Sequence, residues 1–404
     1  MKRFILALAV GLLGIVSGLF AFDATGTIMK VDTEKGVLHI HANKQDRVVK
    51  IDKDVKVLDR EGKPLPDGIK AKELKEGTEV TVTVERENNE AIIKAIRLGN
   101  QLKGKDVPKE GGKPAVGLKP LTEMSATDKY KGEEGGLYGG GKNEPTGAHL
   151  EAAKKETARI VPLDADGKPA KNGKIGLVSI SMSNATQEYS MFKQIADRDD
   201  MKSPLVAIVD CAQGGQAMAQ WVDPKARAWV EADRRLEAAK VSPNQVQVVW
   251  VKLANVGPRG ELAEHGKKLQ KDTLAVVQNA KTRFPNLRIA YLGSRIYAGY
   301  ATTALNPEPY AYEGAFAARW LIQDQIKGNA DLSYADGKAP LLLWGPYFWG
   351  DGITPRHSDK LIWERKDLAG DGTHPSQSGR EKVANMLLTF FKTDPLANTW
   401  FVKK

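Results

Sequence analysis

The stretch I-G-L-V-S-I-S-M-S-N at residues 175–184 joins a mainly apolar run to a short polar turn. Four further apolar runs follow along the chain, separated by stretches with helical spacing at 225–239, 260–282 and 314–326. These runs occupy residues 205–209, 246–251, 287–292 and 341–344. Apolar runs that alternate with helices indicate strands buried on both faces. The predicted fold class is therefore α/β, with a parallel, doubly wound sheet.

Polar turns follow several of these runs, where the carboxyl ends of parallel strands lie and where ligands bind in such sheets. The first run ends in S-M-S-N at 181–184, and the second leads into D-C-A-Q-G-G-Q-A at 210–217. The third continues into K-L-A-N-V-G-P, which places Asn255 at the tip of the strand. Later, D-G-T-H-P-S-Q-S-G at 371–379 precedes an amphipathic helix whose apolar face carries Val383, Leu387, Phe390 and Phe391.

These four segments, in this order, resemble the blocks of the SGNH (GDSL-like) hydrolase superfamily, over roughly residues 172–394. The resemblance implies a flavodoxin-like doubly wound sheet and a serine hydrolase that needs neither a metal nor an organic cofactor. It assigns the site residues as follows: Ser183 as nucleophile, Gly215 as the second-block glycine, Asn255 as the third-block asparagine, and Asp371 and His374 as the D-x-x-H block.

The chain departs from the family pattern in two blocks. The first block reads Ser181-Met182-Ser183 in place of G-D-S. In the third block, Leu253, Asn255 and Val256 stand where the family has G, N and D. The match is strongest in D-G-T-H-P followed by Gly379.

Elementary chemistry supports the same roles. A serine hydroxyl is a poor nucleophile until an imidazole accepts its proton, and the imidazole needs a carboxylate to fix its tautomer. Asp371 and His374 lie three residues apart, so one loop can supply that pair. The oxyanion is expected to meet the backbone N–H groups of Ser183 and Gly215 and the side-chain amide of Asn255.

Alternatives remain open for several of these residues. Ser183 is also suited to cap a helix, and Ser181 competes with it as nucleophile. Gly214 is an alternative to Gly215, and Asn255 is also suited to a turn. Arg295 could bind a substrate carboxylate or pair with an acidic side chain of the protein. The W-G-P-Y-F-W-G loop at 344–350 lies at the rim of the predicted active site, where its aromatic residues could stack on sugar rings or simply pack against the protein.

The N-terminal part has a different hydrophobic periodicity. Five to six short alternating strands between residues 25 and 99 predict a small antiparallel β-barrel. His39 and His41 share one face of a strand there, which suits either a metal or a half-buried pair of histidines. The Gly-, Pro- and Lys-rich residues 100–119 predict a linker. The predicted division is thus a signal peptide at 1–21, the barrel at 22–99, the linker, and the hydrolase domain at 120–404.

The first residues have the order of a secretory signal: Lys2-Arg3, an apolar run from Phe4 to Val16, then small residues. The alternative is an uncleaved anchor. A secreted or periplasmic location is expected, without stable membrane association once the signal is removed. The chain carries a net charge of +10, which falls to +8 without Lys2 and Arg3. Because the basic residues are scattered, nucleic acid is not the expected partner.

Two functions from different classes follow from these features. The first is hydrolysis of a carboxylic ester through an acyl-Ser183 intermediate, with an O-acyl group on extracellular carbohydrate as the expected substrate. The second is a non-catalytic glycan-binding or scaffold protein with the same fold, which the altered first and third blocks suggest.

Overall fold

A computed structural model describes residues 22–42, 45–60, 62–87, 90–99 and 118–403. The chain divides into two compact units, residues 1–109 and 110–404. The predicted signal peptide and residues 100–117 of the predicted linker lie outside the described residues. Within the described part, no helix is both long enough and apolar enough to span a bilayer.

In the described residues of the first unit, five strands close into a barrel in the order β1-β2-β3-β5-β4. Their bounds are β1 Phe22–Asp32, β2 Val37–Ala42, β3 Gln45–Leu58, β4 Glu79–Glu87 and β5 Glu90–Leu98. Four pairings are antiparallel, but β3 and β5 run parallel, which corrects the prediction of a wholly antiparallel barrel. Strand direction reverses at each antiparallel pairing, so a closed ring of five strands must contain at least one parallel pair.

The barrel core follows from the period-2 alternation of its strands. In β2, Leu38 and Ile40 are buried inside the barrel, whereas His41 is exposed and hydrogen-bonds through Nδ1 to Asp46 Oδ1 at 2.6 Å. Among the described residues, no three or more His, Cys, Asp or Glu side chains are grouped so that they could hold a metal ion. The His39/His41 strand therefore offers no assembled set of ligands in the described part of the barrel.

The second unit is built on a five-stranded parallel sheet, as the apolar runs predicted. Its strands are β6 Ile175–Ile180, β7 Val206–Asp210, β8 Val246–Lys252, β9 Ile289–Gly293 and β10 Leu341–Trp344. They lie in the order β10-β9-β8-β6-β7. Numbered along the chain this order is 2-1-3-4-5 read from the β7 edge, so the connections change direction between β6 and β8. Ligands bind at that switch point in open α/β sheets.

The second unit also contains eight described α-helices. They are α1 Gly147–Ala158, α2 Ser183–Ala196, α3 Met218–Trp221, α4 Arg227–Ala238, α5 Leu262–Arg283, α6 Tyr310–Ile326, α7 Gln377–Thr393 and α8 Asn398–Phe401. Helix α2 packs against α7, and α5 packs against α6. The predicted apolar face of α7 is buried at Val383, Leu387 and Phe391. Helix α7 therefore packs into the core of this unit, where Phe390 and Phe391 contact Tyr291 of β9.

The sequence patterns did not predict α1, which lies before the first apolar run at 175 and outside the predicted helical stretches. The buried side of this helix consists of His149, Ala152, Ala153 and Thr157, which are small or polar and give no apolar stripe. Leu121 and Leu137, from the same region, belong to the main hydrophobic core. This segment is thus part of the folded α/β unit.

Candidate active site

Ser183 is the first residue of α2, three residues beyond the end of β6. Met182 before it is extended, with φ −99° and ψ −169°, so the chain turns from strand to helix at this point. The first hydrogen bond of the helix runs from the Thr186 N–H to the Met182 carbonyl, at 3.1 Å. The N–H groups before Thr186 therefore have no partner within the helix. The Ser183 side chain is half-buried.

The three predicted relay residues form one continuous chain of hydrogen bonds. Ser183 Oγ lies 2.7 Å from His374 Nε2, and His374 Nδ1 lies 2.5 Å from Asp371 Oδ2. The other carboxylate oxygen of Asp371 accepts the backbone N–H groups of Thr373 and His374, each at 3.0 Å. Because the ionised carboxylate can only accept, Nδ1 of the imidazole donates to it and Nε2 faces the serine as the acceptor.

The loop that carries this pair is locally constrained. Gly372 has φ +62°, and a Cβ at this position would collide with the Tyr300 carbonyl. Glycine is therefore required there both by the left-handed backbone and by the close approach of another chain segment. This tight turn brings Asp371 back onto His374 within three residues.

Asp371 remains ionised at any pH above its depressed pKa. Burial alone would raise that pKa, but hydrogen bonds from the His374 imidazole and from the backbone N–H groups of His374 and Thr373 lower it to about 2. A permanent negative charge therefore lies beside His374 and can stabilise an imidazolium.

Ser181, the competing candidate for the nucleophile, lies in the interior and bonds to the backbone of a neighbouring strand. Its side chain is fully buried, and its hydroxyl donates to the backbone carbonyl of Lys252 at the end of β8. Its own carbonyl accepts the Gln213 N–H at 2.9 Å. Ser181 thus joins the ends of neighbouring strands, and only Ser183 reaches the imidazole.

Gly215 lies in the loop after β7, which the Gln213 N–H bond ties to the turn before Ser183. The residue is exposed and has φ +72°, a left-handed conformation that favours glycine. This supports Gly215 over Gly214 as the residue that the turn itself requires. The expected contact of the Gly215 N–H with an oxyanion stays a prediction.

Asn255 follows β8, and its side chain is held from two sides. Its Oδ1 accepts the Ala219 N–H at 3.0 Å, and its Nδ2 donates to Asp272 Oδ2 at 2.7 Å. These partners fix the orientation of the amide and use one of its two N–H groups. One N–H remains for the predicted oxyanion role. Asp272 was not found from the sequence, because its i,i+4 pairing with Lys268 on α5 is typical of an exposed helix face.

The aromatic loop at 344–350 packs inside the unit. Trp344, Tyr347 and Trp349 are buried, and the two indole N–H groups donate to Leu137 O at 2.7 Å and to Glu308 Oε1 at 2.8 Å. Of the two expectations for this loop, the structure supports rim packing over a sugar-stacking platform. Arg295 contacts the backbone carbonyl of Thr373 at 3.1 Å and is buried.

A buried ion pair joins β8 to helix α2, which begins at Ser183. Lys252 Nζ and the Glu188 carboxylate are both fully inaccessible to solvent and are hydrogen-bonded to each other. Burial lowers the pKa of Lys252 to about 8, although Glu188 opposes the shift. No sequence pattern indicated this pair, because Lys252 directly follows the predicted apolar run at 246–251 and Glu188 lies outside the four matched segments.

No family model and no curated protein matches the chain. Among solved structures, a protein described as an acylhydrolase from Bacteroides fragilis is 15% identical, with a TM-score of 0.32 over 60% of this chain and 95% of that chain. The periplasmic domain of a lipopolysaccharide acetyltransferase from Salmonella ser. Paratyphi A is also 15% identical, with a TM-score of 0.30 over 54% and 83% of the two chains.

A third similar structure is that of apo-CusF from Escherichia coli. It is 15% identical, with a TM-score of 0.17 over 22% of this chain and 100% of that chain. We assign no activity to this protein from these three likenesses, because their identities and TM-scores are low.

Proposed function

We propose that this protein is a serine hydrolase that cleaves carboxylic esters through an acyl intermediate on Ser183. The observation that carries the proposal is the unbroken relay from the Asp371 carboxylate through His374 to the Ser183 hydroxyl. Its position after β6, at the switch point of a parallel sheet, is where such a sheet offers a substrate crevice.

The proposed chemistry proceeds in two steps. His374 Nε2 takes the proton from Ser183 Oγ as this oxygen attacks the ester carbonyl, and the protonated imidazole then gives that proton to the departing alcohol. Water, deprotonated by the same nitrogen, cleaves the acyl-serine and releases the acid. The backbone N–H groups of Ser183 and Gly215 and the free amide N–H of Asn255 are the proposed donors to the oxyanion. The scheme uses no metal and no organic cofactor.

The proposed substrate is an O-acyl group on carbohydrate outside the cytoplasm. The secretory pattern of the first residues supports export to the periplasm or the medium, where acylated polysaccharides occur. The half-buried Ser183 supports access for a substrate from solvent. Neither a nucleic acid partner nor a stable membrane attachment after signal cleavage forms part of this proposal.

A fluorophosphonate probe tests the proposal directly. The probe should label the purified protein at Ser183, as mapped by peptide mass spectrometry, because only a serine activated by a neighbouring base reacts quickly with it. Heat-denatured protein should remain unlabelled. Absence of labelling in the folded protein would instead favour the non-catalytic glycan-binding alternative. Acetylated glycans and p-nitrophenyl esters, compared as substrates, would then define the alcohol and the acyl group.

Removal of the barrel should leave small-ester turnover intact. A truncated chain that begins at Leu118 should fold and keep kcat on a soluble p-nitrophenyl ester within about twofold, because all five proposed site residues lie in the second unit. On polymeric substrate the truncation is expected to weaken binding if the barrel tethers the enzyme to a surface. Loss of small-ester activity in a folded truncated protein would show that the barrel contributes to the site.

A further inference from the structure

The backbone carbonyl of Thr373, the residue before His374, accepts two side-chain hydrogen bonds. Asn184 Nδ2 donates to it at 2.9 Å, and Arg295 Nη2 donates at 3.1 Å. Asn184 directly follows Ser183 on α2, and Arg295 lies just beyond the end of β9. The side chains of the three residues are almost inaccessible, with exposures of 1% for Asn184 and 2% each for Arg295 and Thr373.

These two bonds connect parts of the chain that the relay requires to be close. Backbone hydrogen bonds also hold this loop. They include those from the Thr302 N–H to Asp371 O at 2.9 Å, from the Ala369 N–H to His374 O at 2.8 Å and from the Gly372 N–H to Ala369 O at 2.9 Å. None of these bonds involves α2. The Asn184 bond therefore ties the nucleophile helix to the histidine loop beside the Ser183–His374 contact itself, and Arg295 fixes the same carbonyl from the sheet.

Burying the Arg295 cation costs free energy unless the cation is paired or hydrogen-bonded. Burial lowers the pKa of its guanidinium, and the carboxylates of Glu188, Glu308 and Asp371 favour its charged form. A charged donor forms a stronger hydrogen bond than a neutral one, and the planar guanidinium holds its donors in a fixed direction. Arg295 is thus suited to hold one carbonyl in place.

We propose that Asn184 and Arg295 are positioning residues that clamp the Thr373 carbonyl and so set the distance between Ser183 Oγ and His374 Nε2. This inference rests on the proposed serine hydrolase activity for its kinetic consequence. Its structural content, the placement of the imidazole, does not depend on turnover. A displacement of about 1 Å in a reacting group can cost about 100-fold in rate.

Asn184→Leu and Arg295→Met each remove the donor and keep a side chain of similar size. Each is expected to lower kcat about 10- to 100-fold and to change KM less than about threefold, because ground-state binding does not require the aligned imidazole. Arg295→Lys, which keeps one charged donor, should recover part of the loss. Ser190→Ala is the matched control, since it breaks a bond from the same helix to Asp210 and does not touch the loop.

A second measurement needs no substrate. The proton that His374 Nδ1 shares with Asp371 should give a downfield NMR resonance, assigned by its loss in His374→Ala. It should be present in the unmodified protein and in Ser190→Ala, and it should broaden or shift in Asn184→Leu and Arg295→Met.

If Asn184→Leu and Arg295→Met fold and keep both kcat and this resonance, the proposed clamp is wrong. A fall in kcat with an unchanged resonance also contradicts it. If the unmodified protein shows no turnover, the proposed function fails. The resonance in Asn184→Leu and Arg295→Met still shows whether these two side chains hold the imidazole in place.

Discussion

Ser183→Ala is expected to abolish ester hydrolysis, with kcat reduced at least about 10³-fold and any residual rate independent of His374. The substitution removes the hydroxyl that contacts the imidazole of His374, and no acyl intermediate can then form. The free energy of unfolding should change by less than about 1 kcal/mol, because the side chain is half-buried and adds little to the core. Initial rates on a p-nitrophenyl ester and a thermal melt measure the two effects.

Ser181→Ala is the matched control, two residues away. Its hydroxyl bonds the Lys252 carbonyl in a fully buried position, so the alanine variant should lose about 1 kcal/mol of stability. Its kcat should stay within about threefold of the unmodified protein. Loss of activity in Ser181→Ala together with full activity in Ser183→Ala would show that the nucleophile is misassigned.

The parallel sheet could be predicted because its five strands consist mainly of apolar residues at consecutive positions. A strand buried on both faces needs apolar side chains at consecutive positions, and β8 consists of seven buried residues. The same local signal failed for α1, whose buried face is made of small and polar residues. It also failed for the β3–β5 pairing, since the direction of pairing in a barrel is set by its closure.

The pairing of Asp371 with His374 was predictable because it is local, three residues apart in a turn with a glycine between them. The contacts that hold the relay in place are long-range. Asn184 and Arg295 meet at Thr373 from positions 189 and 78 residues away in the chain. Asn255 was selected from its place at a strand tip, but its partner Asp272 lies on a helix with an ordinary charge spacing. Only the fold brings such residues together.

The final expectation concerns the carboxylate of the relay. Asp371→Asn should lower kcat about 10³- to 10⁴-fold, because the asparagine amide can donate to Nδ1 and so favours the tautomer whose Nε2 carries a proton and cannot accept one from serine. The loss should be similar at every pH between about 5 and 9. With a pKa of about 2, the native carboxylate is ionised throughout that range, so no part of the pH dependence can come from its titration. Rates of both proteins across this range measure the effect.

Stability provides the accompanying check, and its direction follows from the depressed pKa of Asp371. A carboxylate whose pKa is lower in the folded than in the unfolded protein stabilises the fold above the unfolded pKa, and this contribution disappears as the pH falls through the folded pKa. The difference in unfolding free energy between the unmodified protein and Asp371→Asn should therefore be constant above about pH 5 and should shrink from about pH 4 towards pH 2. Unfolding curves in urea at several pH values measure it. A rate deficit in Asp371→Asn that recovers with rising pH, or a stability difference that persists unchanged at pH 2, would contradict an ionised Asp371 as the partner of His374.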